Sequence, residues 1–216
     1  IGKWKVERKL RQSNTGVSYL CCAPGGTLRA IVKVYAHKDL QRGTERFERF
    51  TRMLARLNHP GIPRYIGTIA DPPAIASAYR EGKLLSERIE RGPMDPRVVL
   101  GLARELAATL AYVHGEDIIH RAVKPETVFL PDDGQAQLVD FGVALESEEE
   151  RLTESGSLVG TLRILPPETL EGSQEGPGYD LYGLGLVLYE ALTGTRAFHG
   201  EDGSVLSPGK LLQLKL

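Results

Sequence analysis

The 216-residue chain is long enough for one domain or two small lobes, and its 41% hydrophobic and 25% charged residues are typical of globular proteins. Its apolar runs are shorter than the roughly 20 residues that span a bilayer, so no membrane span is expected within this window. The only two cysteines, Cys21 and Cys22, are adjacent, which excludes a secreted disulfide scaffold. We therefore expect a globular protein of the reducing cytoplasm.

The formal net charge of −1 conceals an uneven distribution of charge along the chain. Residues 1–80 contain 15 basic and 5 acidic side chains, whereas residues 81–216 contain 12 basic and 23 acidic side chains. This separation of basic and acidic residues indicates either a docking face for a partner or two solvated surfaces of opposite charge. Both interpretations stay open, and both place a boundary near residue 80.

The first part of the chain is predicted to be rich in strands. Apolar and β-branched residues at 4–10 and 17–22 flank a polar turn at 11–16, which indicates a hairpin, and a third strand at 28–35 contains Lys33. A helix is predicted at 44–57, because four apolar residues there recur at intervals of three and four. These residues are Phe47, Phe50, Leu54 and Leu57, and a basic stripe of Arg42, Arg46, Arg49, Arg52 and Arg56 lies on the other side. The stripe has no interleaved exposed aromatic residues, so we expect no nucleic-acid partner.

The second part is predicted to be mainly helical. It contains a short helix at 84–91, a long helix at 96–114 and an apolar helix at 179–193 that we expect to be buried on every side. Short apolar stretches at 128–130 and 137–139 bracket a turn and are predicted strands. A β-rich part followed by a helical part is typical of the α+β class.

The segment 120–127 (HRAVKPET), followed by Asp140-Phe141-Gly142, resembles the catalytic loop and metal-binding turn of the eukaryotic-type Ser/Thr protein kinase family, of the bacterial-like kind. Other family landmarks occur in the same order: Ala30-Ile31-Val32-Lys33, Pro166-Pro167-Glu168 and the segment 179–183. The resemblance implies a two-lobed protein kinase-like fold. Residues 1–80 would form the N-lobe and residues 81–216 a C-lobe that is incomplete at the C-terminus.

The resemblance also implies roles for individual residues. The implied nucleotide-binding positions are Gly16, Ala30, Lys33, Ser77, Phe129 and Asp140, with Asp140 also a weak ligand for Mg²⁺. The implied regulatory positions are Arg121, Thr153, Ser155, Ser157 and Thr161, and Lys124 is the catalytic-loop lysine of the Ser/Thr branch. Asp180 would hold the backbone of loop 120–127, and Leu54, His120 and Phe141 would form a stacked spine.

Four departures from the family pattern affect the chemistry. Ala122 replaces the aspartate that acts as general base, and Thr127 replaces the asparagine that binds Mg²⁺. Phe50 replaces the helix glutamate that pairs with Lys33, so we expect the Lys33 ammonium to turn toward Asp140 or a bound phosphate. Arg11 and Ser13 replace two glycines of the phosphate-binding loop, which leaves only Gly16.

These departures predict a pseudokinase, that is, a regulatory or docking module with a protein partner, weak or no binding of ATP and Mg²⁺, and little or no phosphoryl transfer. One alternative is an ATP-dependent Ser/Thr kinase whose catalytic aspartate was replaced by Ala122, naturally or by design. Another is a nucleotide-binding sensor whose helix turns when the ligand binds.

Overall fold

The computed structural model describes residues 1–13, 15–35, 44–141, 162–170, 176–200, 204 and 206–215. The chain divides into two compact units, Ile1–Glu81 and Gly82–Leu216. The first unit is built on an antiparallel sheet, and the second is mainly helical. The predicted α+β class is therefore confirmed.

The first unit contains a five-stranded sheet in the order β1-β2-β3-β5-β4. Its strands are β1 (Lys5–Ser13), β2 (Gly16–Cys22), β3 (Arg29–Tyr35), β4 (Tyr65–Ile69) and β5 (Ala74–Ala78). The predicted six-residue turn between the first two strands is wrong, because β1 continues to Ser13 and β2 begins at Gly16. Arg11, Gln12 and Ser13 are tolerated at the end of β1 because Gln12 is exposed and the other two are only partly buried.

The two faces of β3 have different neighbours, as the alternation of side chains along a strand requires. Ala30 and Val32 are fully buried on one face, in a cluster with Trp4, Cys21 and Ala76. Lys33 and Tyr35 alternate with them on the other face, which places the lysine outside this apolar cluster.

The first helix, α1 (Thr44–Arg56), is amphipathic as its sequence predicts. Phe47 and Phe50 are buried, whereas Arg49, Arg52 and Arg56 are exposed. The side chains of Arg42 and Arg46 lie outside the described residues. The Phe47 ring meets the Tyr35 ring edge-on at a centroid distance of 5.5 Å, and the Phe50 ring does so at 6.4 Å. The helix is thus fixed by aromatic packing.

The second unit begins with β6 (Gly82–Leu84), which pairs with β7 (Val128–Pro131), and β7 pairs with β8 (Gln137–Leu138). Its helices are α2 (Leu85–Ile89), α3 (Pro96–Gly115), α4 (Pro167–Leu170), α5 (Pro177–Thr193) and α6 (Pro208–Lys215). Asp95 begins α3 by accepting the Arg97 N–H at 2.7 Å, with Pro96 in the first turn. Loop 120–127 lies between α3 and β7 and ends in the short 3₁₀ helix Pro125–Thr127.

The prediction that the apolar helix is buried on every side is wrong. Leu184, Val187 and Ala191 of α5 are buried, but Leu181 is 54% exposed and Tyr189 is also exposed. Among the residues that the structure describes, one face of α5 packs against its own unit, and there Gly183 approaches so closely that a Cβ would lie 2.7 Å from the Val123 carbonyl oxygen. Although α5 is apolar on all sides, some of its side chains are therefore exposed in the described part of the chain.

Within the described ranges, no helix is both long enough and apolar enough to cross a membrane.

Candidate functional site

Loop 120–127 is held by a single buried carboxylate, that of Asp180 in α5. One oxygen, Oδ2, accepts the His120 N–H at 2.8 Å and lies 2.8 Å from His114 Nε2, and the other, Oδ1, accepts the Arg121 N–H at 2.8 Å. Arg121 has a positive φ of 62°, so this residue turns the chain sharply at that point. The prediction that Asp180 holds the His120-Arg121 backbone is confirmed.

The His120 ring is fully buried, and its hydrogen bonds define its tautomer. Nδ1 accepts the Ala122 N–H at 3.3 Å, and Nε2 lies 3.1 Å from the Val139 carbonyl oxygen, which only accepts, so the proton is on Nε2. Burial lowers the pKa of His120, which agrees with a neutral ring. The ring also packs edge-on against Phe141 at 4.6 Å. His120 thus connects the loop to the segment that leads into Asp140.

Ala122 and Thr127 of loop 120–127 are buried and joined by a hydrogen bond within the loop. Ala122 is 2% exposed and offers only a methyl group, which neither accepts nor releases a proton. Thr127 is 1% exposed, and its Oγ1 donates to the Ala122 carbonyl oxygen at 2.5 Å and accepts the Lys124 N–H at 3.2 Å. The Thr127 carbonyl oxygen accepts the Val139 N–H at 2.9 Å. The Thr127 hydroxyl therefore both donates and accepts hydrogen bonds within its own loop.

This arrangement does not fit a magnesium site with two protein ligands. Mg²⁺ needs oxygen ligands that are directed at the ion in near-octahedral geometry. The Thr127 hydroxyl is directed at backbone groups of its own loop, and in the part of the chain that the structure describes no three His, Cys, Asp or Glu side chains converge on one point. Of the two implied ligand positions, only Asp140 offers a carboxylate, and its backbone has a positive φ of 69°.

In the first unit, the contacts of the implied phosphate-binding lysine include two neutral groups. The Lys33 ammonium donates a hydrogen bond to Thr15 Oγ1 and lies 5.1 Å from the centroid of the Tyr35 ring, a cation–π distance. Thr15 is 4% exposed, and it was not singled out from the sequence. The sequence signal that could have identified Thr15 is a hydroxyl residue directly before Gly16, the one retained glycine of the loop.

The other implied nucleotide positions in the first unit are ordered parts of the sheet. Gly16 has a φ of +148°, and a Cβ there would lie 2.1 Å from the Val34 carbonyl oxygen, so the hairpin itself requires glycine. Ala30 is fully buried, and Ser77 pairs with Ile31 in the β3–β5 ladder. In the second unit, Phe129 pairs with Leu84 and Gln137.

Several charged residues of the second unit meet between loop 120–127 and the segment 162–166. Arg163 Nη2 lies 3.9 Å from Glu126 Oε1, and its Nη1 lies 4.0 Å from Glu190 Oε1. Arg196 Nη1 also lies 3.4 Å from Glu126 Oε1. Burial raises the pKa of the Glu190 carboxyl, and the nearby Arg163 opposes this shift. Arg163 and Glu190 are buried, so this ion pair lies inside the second unit, whereas Arg196 is half-exposed.

Lys215 of α6 holds the same segment from another side. Its Nζ donates to the Arg163 carbonyl oxygen at 2.8 Å and to the Leu165 carbonyl oxygen at 2.5 Å. The ammonium lies 4.8 Å from the ring centroids of both Tyr182 and Phe198. Burial, with help from Arg163 and against Glu168, lowers the pKa of Lys215 from 10.5 to about 8.

The shifted pKa of Lys215 predicts an unusual dependence of stability on pH. Between about pH 8 and 10 the unfolded chain binds more protons at this lysine than the folded chain does, so Lys215 should make the slope of the free energy of unfolding against pH more positive in the wild type than in Lys215→Met. The raised pKa values of Cys21, Tyr79 and Tyr182 act in the opposite direction over an overlapping pH range, because the folded chain keeps the protons of these groups to higher pH. Chemical denaturation at several pH values measures the slope, with Lys215→Met as the control that lacks the titrating amine. Equal slopes for the two proteins would contradict the prediction.

Four of the implied regulatory positions, Thr153, Ser155, Ser157 and Thr161, lie outside the described residues. Arg121 is described, and its backbone contact with Asp180 is structural. Its pairing with a phosphorylated segment stays a prediction.

Comparison with known proteins agrees with this architecture. The model of the protein kinase domain family matches residues 4–215, nearly the whole chain. The chain belongs to the protein kinase family. The domain is similar to the probable serine/threonine-protein kinase PkwA of Thermomonospora curvata, with 35% identity over 208 residues that cover 94% of this chain and 28% of that protein. It is also similar to the serine/threonine-protein kinase pkn2 of Myxococcus xanthus, with 34% identity over 92% of this chain and 25% of that protein.

These relatives identify the kinase domain as a bacterial-like member of the eukaryotic-type Ser/Thr kinase family. A crystal structure of the kinase domain of Mycobacterium tuberculosis PknI, a double mutant, matches with a TM-score of 0.70 and 26% identity, covering 89% of this chain and 76% of that one. The two-lobed protein kinase fold predicted from the motifs is thereby confirmed. The chain spans only about a quarter of the length of PkwA and pkn2.

Proposed function

We propose that this kinase domain is a pseudokinase that acts as a regulatory or docking module. The observation that carries the proposal is the loop 120–127, in which a buried methyl group occupies the position of the general base. Positioned proton transfer contributes roughly 10²- to 10⁴-fold to an enzymatic rate, and Ala122 contributes none of it.

The contacts of Thr127 and Lys33 support the same function. Thr127 offers magnesium no directed oxygen, because its hydroxyl bonds to the backbone of its own loop. The contacts of Lys33 include a hydroxyl and an aromatic ring, and the family resemblance implies that the buried Phe50 replaces the helix glutamate. Binding of ATP is therefore proposed to be weak, and Asp140 is the one implied metal ligand that remains.

The residues that hold loop 120–127 in place match the family pattern better than the residues implied in catalysis. Asp180, His114 and His120 form a complete hydrogen-bonded anchor for a loop that has no base. A domain that keeps its shape but not its reacting groups suits recognition by a protein partner. The basic first part and acidic second part of the sequence give such a partner two surfaces of opposite charge.

The second candidate is an active Ser/Thr kinase that was inactivated only at residue 122, and the similarity to serine/threonine-protein kinases favours it. Ala122→Asp separates the two candidates, with Ala122→Asn as the control of equal size that cannot act as a base. Transfer of labelled phosphate from ATP to a generic protein substrate is the readout.

We expect Ala122→Asp to transfer no more phosphate than Ala122→Asn, because Thr127 and Phe50 are unchanged. A rate at least about 100-fold above that of Ala122→Asn would establish the second candidate instead.

A further inference from the structure

A directed chain of hydrogen bonds runs through the β1–β2 hairpin and ends on Lys33. The lysine ammonium can only donate, so Thr15 Oγ1 accepts from it. Thr15 Oγ1 lies 3.0 Å from Ser13 Oγ, and Ser13 Oγ donates to the Gly16 carbonyl oxygen at 3.3 Å. The Thr15 proton is therefore directed to Ser13. Each hydroxyl in this chain donates once and accepts once, and such an arrangement strengthens its members.

The hairpin geometry fixes Thr15 in this place. Gly16 pairs with Tyr35, and Ser18 pairs with Lys33, so the start of β2 lies directly beside the lysine. The close approach of Gly16 to the Val34 backbone leaves no space for a side chain at Gly16. Thr15, one residue earlier, is consequently buried with its hydroxyl at the ammonium.

An aromatic group borders the ammonium as well. The Tyr35 ring lies 5.1 Å from Lys33 Nζ, and the edge-on contacts of Phe47 and Phe50 hold that ring in place. The contacts of the lysine thus include a hydroxyl and a ring of its own unit, both of which are uncharged.

We propose that the Thr15 hydroxyl is an internal competitor for anions at Lys33, so that a polyphosphate group must displace it to bind. This inference rests on the proposed function, and it assigns the weakness of nucleotide binding in part to one residue. The ligand class is the polyphosphate of a nucleotide or a free polyphosphate, because both present the oxygens that an ammonium binds.

Thr15→Val tests the proposal, since valine keeps the shape of threonine and removes the hydroxyl. Calorimetric titration with ATP, tripolyphosphate and adenosine is done in EDTA, without metal. We expect the dissociation constants of ATP and tripolyphosphate to fall about fivefold, as expected when one competing hydrogen bond is lost, and that of adenosine to stay unchanged.

Two further variants serve as controls. Thr68→Val removes a hydroxyl that bonds to Tyr65 in the same unit and should change none of the three constants. Ser13→Ala removes the hydrogen bond between Ser13 and Thr15 and leaves the bond between Thr15 and Lys33 in place. It should tighten polyphosphate binding by less than Thr15→Val does. Unchanged or weaker polyphosphate binding in Thr15→Val would overturn the proposal.

A second readout applies even where no titration shows binding. The rate at which a neutral acylating reagent modifies Lys33, followed by mass spectrometry, should rise severalfold in Thr15→Val and not in Thr68→Val. Equal rates in the two variants would also overturn the proposal. Because neither readout involves phosphoryl transfer, failure here is distinct from failure of the proposed function, which only a transfer assay shows.

Discussion

Replacing Asp180 with alanine is expected to lower the free energy of unfolding by about 3–5 kcal/mol, the loss typical of removing one partner from a buried charged network. The carboxylate is fully buried and serves the N–H groups of His120 and Arg121 together with His114 Nε2. Alanine leaves all three of these groups without their acceptor. Urea denaturation followed by circular dichroism measures the loss.

An exposed aspartate provides the matched control for this substitution. Asp95 accepts one N–H at the beginning of α3 and is exposed, so Asp95→Ala should cost about 1 kcal/mol. Asp180→Asn keeps one acceptor oxygen and should fall between the two. If Asp180→Ala cost no more than Asp95→Ala, the carboxylate would not be the anchor of loop 120–127.

Replacing Phe50 with alanine is expected to cost about 3–5 kcal/mol, because it removes a buried aromatic ring and leaves a cavity. Phe50 is 4% exposed and packs edge-on against Tyr35. Phe50→Glu, which introduces the residue that the family resemblance implies at this position, should also destabilise the first unit, since a carboxylate would replace an apolar ring in this cluster. Thermal and urea unfolding of both variants provide the measurement.

Phe50→Leu is the control for the loss of the ring alone, and it should cost less than Phe50→Ala because most of the volume is kept. A Phe50→Glu variant as stable as the wild-type protein would show that α1 accommodates a carboxylate at residue 50. That result would contradict a structural role for the Phe50 ring.

The parts of the fold with strong periodicity could be predicted from the sequence. The spacing of Phe47 and Phe50 marked the buried face of α1 because a helix repeats every 3.6 residues. The role of Asp180 followed from the family resemblance, since nothing local in the sequence links it to His120, which is 60 residues away.

Contacts that depend on the assembled fold could not be predicted. Thr15 reaches Lys33 only because the sheet register places β2 beside β3. Arg163 and Glu190 look like surface charges in the sequence, yet both are buried where the segment 162–166 meets the rest of its unit. The exposure of Leu181 could not be predicted either, because the apolar composition of α5 does not specify which face of the helix is covered.

The central claim, that this kinase domain does not transfer phosphate, is tested most directly by incubating the protein with γ-labelled ATP, Mg²⁺ and a generic protein substrate. Asp140→Ala, which removes the one carboxylate among the implied metal ligands, sets the background. We predict that label on the protein and on the substrate is the same for the wild type and for Asp140→Ala. Incorporation by the wild type that Asp140→Ala abolishes would contradict the account.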